Sequence, residues 1–217
     1  MTHRSKSTVT VQKPDWLKRR LPTGPAFEQI KGMIGRDRLH TVCQEAKCPN
    51  IWECFSDKTA TFLILGSRCS RNCRFCSVPQ GGLEPPDPGE PARVARVSRE
   101  MGLKYVVITS VTRDDLADGG AGIFAETIQE IQNQIPDACV EVLIPDFQGV
   151  KEALFTVLDA NPDVLNHNIE TVAGLYPRVR PQANYRRSLQ MIKRAHEYNP
   201  DMPTKSGLML CLGESTE

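Results

Sequence analysis

The chain has 217 residues, and its 27 Lys and Arg nearly cancel 26 Asp and Glu, leaving a net charge of +1. Hydrophobic residues make up 40% and charged residues 24%, the composition of a globular chain with a real core, not of a disordered, fibrous or disulfide-stapled one. The near-neutral balance gives no case for a nucleic-acid partner, and the short apolar runs fall well below the roughly 20 residues of a membrane span.

Residues 1–60 read as irregular, with a short helix over Asp15–Arg20 before Pro22 and both tryptophans, Trp16 and Trp52. The N-terminal ten residues are polar and lack a secretory apolar stretch, so a reducing, cytoplasmic location is expected, with organellar targeting as the alternative. From Thr59 the pattern changes. Strand-like runs cover Thr61–Leu65, Tyr105–Val111, Val140–Ile144, Val164–Ile169 and Gly207–Leu212. Helix-like stretches cover Glu90–Met101, Ile123–Ile135, Val150–Ala160 and Tyr185–Tyr198, with a shorter one near Thr171–Tyr176. Gly102, Pro136 and Asn161-Pro162 stand where helices should stop. Alternating strands and helices, with strands apolar on both faces, predict an α/β fold: a partial, open (β/α) TIM-type barrel of parallel strands. A cysteine-bearing extension, residues 1–58, precedes a barrel domain, residues 59–217.

In such folds the chemistry gathers at the C-terminal ends of the strands. Cys69, Cys73 and Cys76 follow the first strand, and Thr109, Ser110, Arg113, Asp114 and Asp115 end or follow the second. Pro145-Asp146 follows the third, Asn166, His167, Asn168 and Glu170 end the fourth, and Glu214 follows the fifth. Six of the eight cysteines lie between positions 43 and 76. Cys139 and Cys211 sit on apolar segments and read as buried small hydrophobes.

Cys69-Ser70-Arg71-Asn72-Cys73-Arg74-Phe75-Cys76 is C-x3-C-x2-C. Three thiols on one loop suit three corners of an iron–sulfur cubane whose fourth iron stays open. Arg68, Arg71 and Arg74 would lower the thiol pKa and offset the cluster's negative charge. The alternative is a zinc site on Cys73 and Cys76 with two distant ligands, for which the three-residue gap is unusual. Cys43, Cys48 and Cys54 form a second triplet, C-x4-C-x5-C, with looser spacing. It either holds a second cubane or joins the first triplet in one larger site.

The first triplet, with an aromatic before its last cysteine and following a strand, resembles the radical S-adenosylmethionine enzymes. The second triplet narrows the resemblance to the lipoyl synthase family. Lys13–Leu17, Thr41–Cys54, Ala60–Phe62, Tyr105–Ala121, Asn166–Val172 and Thr204–Met209 carry it. The resemblance implies two [4Fe-4S] clusters and S-adenosyl-L-methionine. Cys69, Cys73 and Cys76 would be the catalytic set, whose cluster cleaves the cofactor to a 5′-deoxyadenosyl radical. Cys43, Cys48 and Cys54 would hold the cluster that gives up sulfur to C6 and C8 of an octanoyl chain. The substrate would be an octanoylated lipoyl domain or H protein, and the electron donor a ferredoxin or flavodoxin. Thr109 and Ser110 would meet the methionyl group or serve as ordinary turn hydroxyls, Asn168 and Glu170 would meet the ribose or bond each other, and Lys205 would complete the cofactor contacts, pair with a carboxylate or stand in solvent. His167 reads as a hydrogen-bonding residue, not a ligand, and Arg178 and Arg180 as a solvated face, with a surface toward an acidic carrier domain as the alternative. Family members continue to an Arg-Ser-Ser-Tyr motif whose serine ligates the sulfur-donating cluster. It is absent from this sequence, so a fragment or a different fourth ligand is expected. Ile123 stands where many members have His, and Cys211 where the family often has Gly. Another radical enzyme with an auxiliary cluster, or a non-catalytic metal-binding scaffold, are the competing readings.

Overall fold

The computed structural model describes residues 25–45, 48, 51, 54 and 60–215. The helix expected over 15–20, both tryptophans and the domain boundary expected at 58/59 lie outside them. In chain order come α1 (Pro25–Arg36), β1 (His40–Thr41), α2 (Val42–Glu45), β2 (Thr61–Ile64), α3 (Glu90–Met101), β3 (Tyr105–Ser110) and α4 (Ala121–Gln134). β4 (Cys139–Leu143), α5 (Lys151–Asp159), β5 (Val164–Asn166), α6 (Tyr176–Val179), α7 (Tyr185–Tyr198) and β6 (Thr204–Lys205) follow. The strands lie side by side in sequence order, β1 to β6, in one open sheet. β2 through β6 run parallel, with Thr61 opposite Val107, Tyr105 opposite Cys139 and Glu141 opposite Val164. That is the open parallel architecture expected from the alternating pattern.

Strand alternation sorts the side chains. Phe62, Ile64, Val106, Ile108, Val140, Val142 and Leu165 are fully buried on the convex face. They pack beneath Val94, Phe124, Ile128, Ile131, Leu154 and Val157 of the helices, in one continuous core. Each such side chain contributes about 1.5–3 kcal/mol on burial. Leu63, Thr109 and Leu143 share one row of the opposite, concave face, which is where the site forms. α3 and α7 begin and end as expected. Gly102 stops α3 in the left-handed region at φ 66°, and Asn184 accepts from Arg187 N at 3.0 Å to start α7.

Several expectations are corrected. Residues 25–45 are not irregular: α1 buries Ile30 and Ile34 in the core, and β1 pairs antiparallel with β2, so the sheet is not wholly parallel. Gly32 and Gly35 dilute the helical signal in α1. The fifth expected strand, Gly207–Leu212, is instead a loop. Leu208 and Leu210 are 61% and 76% exposed, and the pairing strand is Thr204–Lys205, too short for any periodicity. β5 ends at Asn166, so His167–Ile169 leave the strand to build the site. Near Thr171–Tyr176 a single turn over Ala173–Leu175 leads into α6. Neither Cys139 nor Cys211 is a buried hydrophobe: Cys139 is half-buried and Cys211 exposed.

Candidate active site

The loop after β2 is sewn to the end of β3. Ser70 N and Ser70 Oγ both donate to Thr112 O at 2.9 Å, and Asp114 N donates back to Ser70 Oγ at 3.1 Å. Arg71, 4% exposed, gives both Nε and Nη2 to the Asp114 carboxylate, at 2.6 and 2.8 Å. Its Nη2 also reaches Asp146 Oδ1 at 2.6 Å. Asp146 also accepts from Arg187 and from Gln148 N. Burial penalises both charges, but the pairing outweighs it, raising the Arg71 pKa and lowering that of Asp146. One guanidinium therefore ties the cysteine loop to the ends of both β3 and β4. On the other side, Arg74 N donates to Val179 O at 2.9 Å and Asn72 N to Gln182 Oε1 at 2.8 Å.

So held, Cys69, Cys73 and Cys76 are free thiols on the wall of a cavity of about 260 Å³. Thr112 N and Arg71 N point at Cys69 Sγ, at 3.2 and 3.4 Å, an arrangement that favours a sulfur carrying negative charge. Burial pushes the Cys73 thiol up, and Arg180 opposes that shift. Arg180, not Arg68, Arg71 or Arg74, is the cation that opposes the shift of the Cys73 thiol. Arg71 is neutralised by its two carboxylates, Arg68 donates to Gly81 O and Arg74 is turned to solvent, which corrects the role expected for all three. Among the described residues no three His, Cys, Asp or Glu side chains converge as ligands of a single metal ion. A cubane spreads its thiolates over separate irons, so three thiols along one cavity wall fit a cluster better than an isolated zinc.

The remaining walls are mostly apolar. Leu63, Val78, Val111, Leu143, Ile144 and Pro145 line the cavity, and Val42 of α2, next to Cys43, closes one edge. Cys43, Cys48 and Cys54 are close enough that the latter two raise the Cys43 pKa, after its burial. Cys43 follows Val42 at that edge, and Cys48 N donates to Cys43 O at 3.1 Å.

Of the expected contacts, Thr109, Ser110, Asn168 and Glu170 line the cavity. Thr109 Oγ1 donates to Leu143 O at 2.9 Å, so its proton is committed. Ser110 Oγ is buried with no partner among the described residues, as is Arg180 Nε. Both are groups a polar ligand would satisfy. Burial pushes the Glu170 carboxyl up, against the pull of Arg180 and a hydrogen bond with Asn168. Gly207 makes room for that pair, since a Cβ there would lie 2.7 Å from Asn168 Oδ1. Lys205 does not line the cavity. Its Nζ takes both Glu141 oxygens, at 2.9 and 2.8 Å, lower on the concave face, where Tyr105 and Asn166 also bond Glu141.

Arg180, expected on a solvated face or one turned to an acidic carrier domain, is the site residue that sequence reasoning misses. It lines the cavity, donates to Asn168 O at 2.9 Å and lies 5.4 Å from the Tyr176 ring centroid. The Arg180-Pro181 dipeptide after a short helix carries no chemical signal by itself. His167 is a hydrogen-bonding residue: Nδ1–H donates to Ile144 O at 2.8 Å, so neutral Nε2 accepts from Ser188 Oγ at 3.0 Å.

Comparison with known proteins gives the same direction. The Radical SAM superfamily profile matches residues 63–217, and that of the N-terminal domain of lipoyl synthase matches residues 2–48. A lipoyl synthase of Alkaliphilus metalliredigens is 54% identical over 206 residues, covering 95% of this chain and 71% of that protein. One from Desulfotalea psychrophila is 54% identical over 216 residues, covering 100% of this chain and 72% of that protein. In fold, the chain is similar to methylornithine synthase, with a TM-score of 0.54 at 13% identity, over 70% of this chain and 45% of that one. With the cysteine loop at the C-terminal end of a parallel strand and relatives of this identity along nearly its whole length, the chain belongs to the lipoyl synthase family of the radical S-adenosylmethionine superfamily.

Proposed function

We propose that the cavity is where two sulfur atoms enter a protein-bound octanoyl chain, at C6 and C8, to form a lipoyl group. One observation carries this reading: three thiols share an apolar cavity with unpartnered polar groups, and Val42, beside Cys43 of the second triplet, closes its edge. A reduced [4Fe-4S] cluster with S-adenosylmethionine supplies a carbon radical able to take hydrogen from an unactivated C–H bond.

The protein's part is to hold, orient and keep dry. Cys69, Cys73 and Cys76 hold the cluster. Arg180 suits the carboxylate of the methionyl group, Ser110 and Thr109 its polar neighbours, and Glu170 with Asn168 a ribose hydroxyl. Leu63, Val111, Leu143 and Ile144 offer the acyl chain an apolar wall and exclude water. Lys205, held by Glu141 outside the cavity lining, would steady the concave face. Cys43, Cys48 and Cys54, on the extension we assign to residues 1–58, hold the sulfur-giving cluster beside the barrel of residues 59–217. An octanoylated lipoyl domain or H protein is the substrate, and a ferredoxin or flavodoxin the reductant. Thiols of this kind require a reducing compartment such as the cytoplasm. Among the described residues no helix is long and apolar enough to cross a membrane.

The test counts 5′-deoxyadenosine and thiolated octanoyl-lysyl peptide side by side after anaerobic reconstitution. Cys73→Ala should abolish both. Cys48→Ala should leave cofactor cleavage intact and remove only the thiolated product. Loss of 5′-deoxyadenosine in both variants would replace two clusters with one shared site, and stoichiometric zinc without iron would overturn the radical reading.

A further inference from the structure

The cysteine loop has two faces. Its sulfurs look into the dry cavity. Its outer side, Arg74 and Phe75, joins Pro177, Arg178, Val179 and Leu212 around a second hollow of about 520 Å³. Phe75, 38% exposed, borders both hollows. The bond from Arg74 N to Val179 O makes the loop and α6 one continuous surface.

The charge on this face is uncompensated. Arg74 and Arg178 are both exposed. Arg178 reaches only a carbonyl, Leu212 O at 3.4 Å, and neither guanidinium has a carboxylate partner among the described residues. The neighbouring acid, Glu214, spends its oxygens on the backbone N–H groups of Cys211 and Leu212. Arg71, on the same loop, is by contrast neutralised on both sides. Two free cations thus flank an apolar centre of Phe75, Pro177 and Leu212 on a protein whose net charge is only +1.

We propose that this outer face is the docking surface for an acidic one-electron carrier protein. The proposal rests on the reading that Cys69, Cys73 and Cys76 hold an iron–sulfur cluster. Such a cluster must gain an electron while its inner side is closed by cofactor and acyl chain. The electron therefore enters through the side of the loop turned to solvent. An apolar centre with a cationic rim is the anatomy of a transient, electrostatically steered interface. The step moves one electron: the carrier is oxidised by one, the cluster reduced by one, and no bond or proton changes place.

The experiment compares two reductants on the reconstituted protein, with S-adenosylmethionine cleavage as readout: dithionite, which needs no docking, and a fully reduced flavodoxin as the acidic carrier. The double variant Arg74→Glu/Arg178→Glu should match the unmodified protein under dithionite. With limiting flavodoxin its rate should fall about tenfold or more, and the inhibition by added salt seen in the unmodified protein should vanish. Arg74→Lys/Arg178→Lys should retain most of the flavodoxin-driven rate. Equal flavodoxin-driven rates in the Glu variant and the unmodified protein would overturn the proposal. So would equal loss under both reductants, which would make the arginines supports of the loop. A loss under dithionite with an octanoylated carrier protein but not with an octanoyl-lysyl peptide would assign the face to the substrate carrier instead. If the unmodified, iron-loaded protein cleaves nothing under dithionite, the cluster reading fails first and the docking surface falls with it.

Discussion

Cys211 occupies a backbone position with φ 69°, in the left-handed region where a Cβ crowds the chain. Glycine would enter this region at no steric cost. Cys211→Gly should stabilise the protein by up to about 1 kcal/mol, read from urea unfolding, while Cys211→Val should destabilise it, because a β-branched side chain is worst tolerated at positive φ. Residues differed in how much of their role could be read in advance. The six clustered cysteines could be singled out in advance because their spacing lies along one chain. Asp146 meets Arg71 and Arg187 across 75 and 41 residues, and Arg180 meets Cys73 from another part of the chain, and no local pattern records such meetings.

At the scale of elements, the loop carrying Cys69, Cys73 and Cys76 depends on β3 and β4 through Arg71. Asp146 is the critical tie, since its side chain is fully buried and receives two arginines. Asp146→Ala strands the buried Arg71 with a single carboxylate and should cost about 3 kcal/mol, measured by equilibrium unfolding. It should also lower iron bound per chain after reconstitution. Asp146→Asn keeps an acceptor for Arg71 and should lose less of both. α3 and α7 were legible at both ends, because a left-handed glycine and an asparagine cap are local devices. β1 and β6 were not, because two residues cannot display alternation. The exposed leucines at 208 and 210 imitated a strand whose partner was already taken two residues after Pro203.

For the whole molecule, buried titratable groups set the stability profile. Burial holds the His167 pKa below its ordinary value, so between the folded and unfolded pKa values the unfolded chain binds the extra proton. Its contribution is complete above about pH 6.5 and is lost as the pH falls through the folded pKa. Asp146 and Glu141, also lowered, add to the loss at more acid pH. Glu90 and Glu170, raised by burial, act in the opposite direction. Between pH 7 and pH 5 the His167 contribution alone lowers the urea midpoint, so His167→Gln should make the midpoint less sensitive to acid than that of the unmodified protein, whatever it does to the plateau.

Because the strands stand in the sheet in the order they occur in the chain, each new strand finds its neighbour already laid down. A ribosome delivers them in that same order, so the sheet can grow from one edge as the polypeptide emerges. The cysteine loop, though made early, is completed late. Ser70 waits for Thr112 and Asp114, Arg71 for Asp146, and Arg74 for Val179. During synthesis the three thiols are therefore exposed to the cell before their walls exist. Delivery of iron to a finished pocket must then follow translation of β4 and α6, and until that moment those sulfurs are open to any passing oxidant or metal.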